Sequence, residues 1–106
     1  MLHLTTALTA LSSKKIGDKN FADFISIENN ELKVKIQDGV ISENGINGIQ
    51  VTDLLEYVTE VFKSLNSAYP CRENAFTITK IEEGLHWQEA RTKDREKRKV
   101  EGKNLA

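Results

Sequence analysis

The sequence predicts an α+β protein: a short N-terminal antiparallel β-hairpin or meander, then an antiparallel helical hairpin with a long C-terminal helix. Three observations carry that expectation. Residues 31–37 alternate, with Leu32, Val34 and Ile36 on one face and Glu31, Lys33, Lys35 and Gln37 on the other, the period of a half-buried strand. Val51, Leu54, Leu55, Val58, Val61, Phe62 and Leu65 recur at three- and four-residue spacing, the stripe of an amphipathic helix. The single proline, Pro70, then breaks that helix and opens a second helix-forming run over residues 71–99.

In chain order, residues 1–20 are rich in Thr, Ser and Lys and read as an arm or a short helix over residues 2–11. The strands fall within residues 21–42. Residues 21–27 alternate in part, and Asn29-Asn30 suits a tight hairpin turn because Asn tolerates positive φ. Asp38-Gly39 marks a second turn, and residues 40–42 are expected to add a short third strand. Two Asn-Gly pairs follow, Asn44-Gly45 and Asn47-Gly48. One reading makes them a structural turn feeding a helix; the other makes their exposed backbone N–H groups part of a ligand rim.

The first long helix spans residues 52–67, with Asp53 and Glu56 favouring its N-terminus through capping and the helix dipole. Residues 71–99 would run roughly 40 Å at 1.5 Å per residue. Their apolar stripe, Cys71, Ala75, Ile78, Ile81 and Leu85, stops past Ala90. The last turns therefore need a partner in the sheet or in another subunit. The whole, residues 1–106, reads as one domain.

Charge is nearly balanced, 15 Lys and Arg against 16 Asp and Glu, for a net of −1. The balance hides an asymmetry: residues 91–103 carry a net of +4, leaving −5 for the rest. That pattern does not suit a binder of DNA or RNA polymers, which would be basic overall or over a broad face. A small phosphorylated ligand held by a local cluster fits better. No apolar run approaches the roughly 20 residues of a membrane span. With Cys71 the sole cysteine, no internal disulfide can form, and a reduced intracellular setting is expected.

The second helix also carries a polar stripe: Asn74, Thr77, Gln88, Arg91 and Arg95. Arg91 and Arg95 are like charges one turn apart, a pairing that costs a few tenths of a kcal/mol unless an anion lies between them. They could clamp a phosphate, since each guanidinium offers parallel N–H donors; the plain alternative is a solvated basic tail. Tyr69 and Trp87 could stack on a purine while Asn74 reads its edge or a ribose hydroxyl, although a lone Trp on a helix is more often core or interface. Catalytic groups are not evident. His3 and His86 lie far apart, with His86 reading as a surface or interface residue, and Cys71 reads as a packed thiol. No metal-ligand spacing and no phosphate-binding Gly loop occurs. Accordingly no catalytic residue, metal or cofactor is expected.

The run Pro70-Cys71-Arg72-Glu73-Asn74-Ala75, the stretch from Thr79 to Trp87, then Ala90-Arg91-Thr92, Arg95 and Val100-Glu101-Gly102 resemble a known family. They are similar to the helical hairpin shared by two kinds of phage anti-defence sponge. One sequesters glycocyclic ADP-ribose signals of the Thoeris system, the other cyclic oligonucleotides of CBASS. The strands and the Asn-Gly turn ahead of the hairpin resemble the Thoeris type, so the likeness covers about residues 30–102.

The resemblance implies capture without turnover, in the cytoplasm of the infected bacterial host. It implies a ligand held between subunits of a homo-oligomer, a dimer or a hexamer, with Arg91 and Arg95 neutralising the pyrophosphate and Asn74 holding a base or ribose. Tyr69 and Gln88 complete the candidate ligand-binding set. Ser64 stands where many relatives carry an aromatic that stacks on the ligand, and Phe62 or Tyr69 is the available substitute. The rival expectation is a non-enzymatic structural or protein–protein interaction module of phage origin.

Overall fold

The computed structural model describes residues 2–98, with the backbone alone at Leu2. Helix α1 spans Leu2–Leu11, so the N-terminal segment is a helix and not an arm. Ten residues are too few to hold a helix in water by propensity alone. Packing supplies the rest: Ala7 is buried, and Leu4, Leu8 and Leu11 lean on the core at the same helical spacing. Two short strands follow, β1 (Lys15–Ile16) and β2 (Lys19–Asn20), paired antiparallel.

The expected alternation over residues 21–27 is replaced by a 3₁₀ turn at Phe21–Asp23, tied by the Asn20 N–H donating to Asp23 Oδ2 at 2.8 Å. Both Phe21 and Phe24 point inward, and a three-residue spacing puts them on one side of a 3₁₀ turn but on opposite faces of a strand. Strand β3 (Ile25–Glu28) then pairs antiparallel with β4 (Glu31–Val34), Ile25 opposite Val34 and Glu28 opposite Glu31. Asn29 and Asn30, at φ 51° and 62°, make the two-residue turn that the sequence predicts.

No third strand forms at residues 40–42. Gly39 turns the chain at φ 79°, and Ile41–Asn44 closes a single helical turn, α2, with the Gly45 N–H donating to Ile41 O at 2.9 Å. The chain then returns to the sheet by a parallel bridge between Ile36 and Ile49. The bridge is sealed by Gln37 N–H to Ile49 O at 2.8 Å and Ile49 N–H to Lys35 O at 2.9 Å. That return requires a bare α-carbon at Gly48, where a Cβ would lie 2.5 Å from the Ile36 carbonyl carbon and 2.6 Å from Gln37 N. Gly48→Ala is therefore expected to lower stability by about 1–3 kcal/mol, because backbone and not a pliant side chain must move. An unchanged urea midpoint would contradict the tight return.

Helix α3 (Val51–Ala68) begins with the Gln50 N–H donating to Asp53 Oδ2 at 2.9 Å. Lys14 anchors the same end, reaching Asp53 Oδ1 at 2.9 Å and also the Glu56 carboxylate. Two details of the expected stripe change. Val51, at the first turn, is 63% exposed, whereas Tyr57 is buried at 1%. The Tyr57 ring lies 6.2 Å from Phe21, and its hydroxyl donates to Leu4 O at 3.0 Å, joining α3 to α1. Burial pushes the Tyr57 hydroxyl pKa above its ordinary value.

Helix α4 (Arg72–Lys97) runs back antiparallel along α3. Ile78, Ile81 and Leu85 are half-buried on its inner side, but Cys71 and Ala75, expected in that stripe, are exposed. The core thus lies between α1, α3 and the start of β3, while the outer flank of α4 is uncovered. The expected helix limit at Lys99 lies outside the described residues.

Candidate functional site

The hairpin tip is built by local hydrogen bonding. The chain leaves α3 at Ala68, passes Pro70 and enters α4 at Arg72 with Cys71 as its N-cap. Asn66 Oδ1 accepts the Cys71 N–H at 3.1 Å, and Cys71 Sγ accepts the Asn74 N–H at 3.4 Å. Cys71 is therefore an exposed helix cap, not a packed thiol. Asn74 Nδ2 donates to Tyr69 O at 3.4 Å, which holds the carboxamide against the connection. The Tyr69 ring is 71% exposed.

One further residue joins the tip from α1. His3 Nδ1 and Ser64 Oγ share a hydrogen bond of 2.9 Å, and the His3 ring meets Tyr69 edge-on at 6.3 Å. No local pattern in the sequence could have shown this contact, since 61 positions separate His3 from Ser64.

At the other end of α4, Gln88 lines an open groove of about 360 Å³ against α3, with Lys14, Asp53, Glu56 and Thr92 on its walls. Arg91 is exposed and has no ion-pair partner among the described residues. Arg95 is different: it is buried, at 6% exposure. The two arginines expected to act as a pair thus occupy unlike settings. At about 100° per residue, Asn74, Gln88 and Arg95 fall within an arc of roughly 60°, with Arg91 about 40° beyond. Ile81 falls inside that arc, while Leu85 and Ile78 lie about 20° and 40° to the other side of Asn74, so the polar stripe overlaps the apolar one and drifts away from it along α4.

Distance separates the set further. Arg91 lies 17 residues beyond Asn74 on one continuous helix, about 26 Å at 1.5 Å per residue. The structure brings Tyr69 and Asn74 together, along with Ser64, and keeps Gln88, Arg91 and Arg95 at the opposite end. Trp87 is 71% exposed and not core, with the exposed His86 ring 6.1 Å away. Asn47 is consumed by structure: the Asp38 N–H donates to its Oδ1 at 2.8 Å, and its Nδ2 donates to Asp38 O at 2.9 Å. The Asn-Gly segment is accordingly a turn tied to itself. Among the described residues no group of His, Cys, Asp and Glu is placed to hold a metal ion, and no helix is long and apolar enough to cross a membrane.

This hairpin, with Asn74 at its tip and the arginines along its second helix, can be compared with known proteins. The model of the Acb2/Tad1 hairpin domain matches residues 28–93, more than half of the chain. The chain belongs to the Acb2/Tad1 hairpin family. Thoeris anti-defense 1 of Bacillus phage SBSphiJ7 is 42% identical over 92 residues, which cover 86% of this chain and 61% of that protein. The chain thus spans about three-fifths of the length of this relative. The family match runs from the end of β3 to the middle of the basic run on α4, taking in Tyr69, Asn74, Gln88 and Arg91 but ending before Arg95. It leaves α1, β1 and β2 outside.

Proposed function

We propose that the protein captures a cyclic nucleotide immune signal, a glycocyclic ADP-ribose in the first place and cyclic oligonucleotides in the second. The capture blocks bacterial anti-phage defence by stoichiometric sequestration, without turnover, in the cytoplasm of the infected host. The name of its relative, Thoeris anti-defense 1, supports that setting. The observation that carries the chemistry is Arg91, an exposed guanidinium with no ion-pair partner among the described residues, free to meet a pyrophosphate with two parallel N–H donors.

A ligand held by both Asn74 and Arg91 requires two copies of the chain, because a single helix sets them about 26 Å apart. Phe76 and Trp87, 62% and 71% exposed, stand eleven residues apart and so fall on one line of α4. Antiparallel pairing of two α4 helices about a two-fold axis sets Phe76 of one copy against Trp87 of the other. The same register sets Lys80 against Glu83, an opposite-charge pair repeated by the symmetry. The homo-oligomer, a dimer or a hexamer, is part of this proposal.

Thermal shift of the purified protein tests it, against glycocyclic ADP-ribose isomers and cyclic di- and trinucleotides. Ligand at a hundredfold its dissociation constant should stabilise by about 2.7 kcal/mol, a rise of several degrees. Intact ligand recovered after heat denaturation distinguishes capture from cleavage. The exposed Phe76 and Trp87 also favour a second reading, a module that docks another phage protein. A folded sample that no nucleotide stabilises would select that reading.

A further inference from the structure

Helix α1 lies outside the matched hairpin, yet it delivers a side chain to the hairpin tip. The His3 ring is fixed at two points, by the 2.9 Å bond to Ser64 Oγ and by the edge-on contact with Tyr69 at an interplanar angle of 68°. Tyr69 in turn carries the Asn74 carboxamide on its carbonyl. Three separate parts of the chain therefore form one continuous surface: an imidazole, a hydroxyl, an exposed phenol ring and a carboxamide. Next to it an open groove of about 480 Å³ runs between α1 and α3, with Ala7, Ala10 and Ala68 among its lining residues.

The chemistry of that surface differs from the arginine end. The cation bordering the groove, Lys63, is within ion-pair distance of Glu60 and Glu82, at 3.6 and 3.5 Å. What remains is aromatic and uncharged in its hydrogen bonding, which suits a planar heterocycle with both donors and acceptors on its edge. The Ser64 bond occupies Nδ1 of His3 and leaves Nε2 without a partner among the described residues. That nitrogen donates in one tautomer and accepts in the other, so it can meet either kind of edge group. Small residues along the groove give a ring room to approach.

We infer that α1 is a wall of the ligand site and that His3 contacts the nucleobase, with Tyr69 as stacking surface and Ser64 as the group that fixes the imidazole. The inference rests on the sponge reading and assigns the base to the tip, as distinct from the phosphates at the arginines.

The test is calorimetric titration of wild type, His3→Ala, His3→Phe and Arg91→Ala with the glycocyclic ADP-ribose isomers, each variant's melting temperature being recorded. A second measurement follows the ring-proton NMR signals of the two histidines on addition of adenosine, which carries base and ribose without phosphate; His86→Gln assigns them. His3→Ala should weaken binding about tenfold, the size of one lost base–aromatic contact, at an unchanged melting temperature. His3→Phe should recover part of that loss by keeping a ring. Adenosine should shift the His3 signals in wild type and equally in Arg91→Ala. Affinity within twofold of wild type in His3→Ala, or His3 signals that adenosine leaves in place, overturns the role of His3 while leaving the sponge reading intact. A wild-type protein that binds none of the cyclic nucleotides overturns the sponge reading and this inference with it.

Discussion

Arg91→Ala is expected to weaken capture of a glycocyclic ADP-ribose by about 10- to 100-fold in calorimetric titration, with little change in melting temperature. The size follows from a hydrogen bond to a charged group, worth roughly 1.5–3 kcal/mol once its partner is lost. The clean separation from stability follows from exposure, since Arg91 has no ion pair in the described protein to break. Arg95→Ala would be a poorer probe. That side chain is 6% exposed, so its removal should lower the melting temperature as well, and a loss of affinity would have two causes.

The shared site makes a stronger demand. Asn74→Ala and Arg91→Ala should each be weak binders alone, yet a mixture refolded together should regain tight sites. In a mixed dimer, one of the two sites draws its Asn74 and its Arg91 from the intact halves of both chains. A folded Arg91→Ala protein with wild-type affinity would sink the pyrophosphate assignment. A mixture that stays as weak as its components would sink the site between subunits.

What the sequence made legible was whatever depends on near neighbours. The Asn29-Asn30 turn, the β3–β4 pair, the amphipathic α3 and the proline-separated α4 all follow from short-range rules, and they stand as expected. Two of the misses share a cause, which is that a distant segment decided the outcome. Residues 40–42 have β-forming composition, but the sheet edge beside Ile36 is taken by Ile49, so the chain turns helically instead. Tyr57 stands outside the aliphatic stripe that spacing picks out, and it is Phe21 and the Leu4 carbonyl that give its ring and hydroxyl a place inside.

The candidate site divides the same way. Asn74 and the arginines were visible as residue types suited to a nucleotide. That Arg95 is buried while Arg91 is free depends on packing around the end of α4, which periodicity does not report. His3 carried no signal at all, because its partner Ser64 lies at the far end of the chain's second-longest helix.

The largest effect on stability is expected at Phe21. Its side chain is 0% exposed and stacks beside Tyr57, and it stands where α1, the 3₁₀ turn and α3 converge. Phe21→Ala should cost about 3–5 kcal/mol, the lost transfer energy plus that of the cavity. Domains of this size hold roughly 5–15 kcal/mol in total, so much of the margin would go. Urea unfolding followed by circular dichroism is the suitable measurement, since Trp87, the sole tryptophan, is 71% exposed and its emission reports poorly on the core. The consequence extends to binding. Removing Phe21 loosens the seat of α1, and α1 holds His3 against the tip, so the folded fraction in the cold should also bind more weakly if the base rests on His3. A variant that loses stability but keeps full affinity would separate the core from the site and place α1 outside the binding surface.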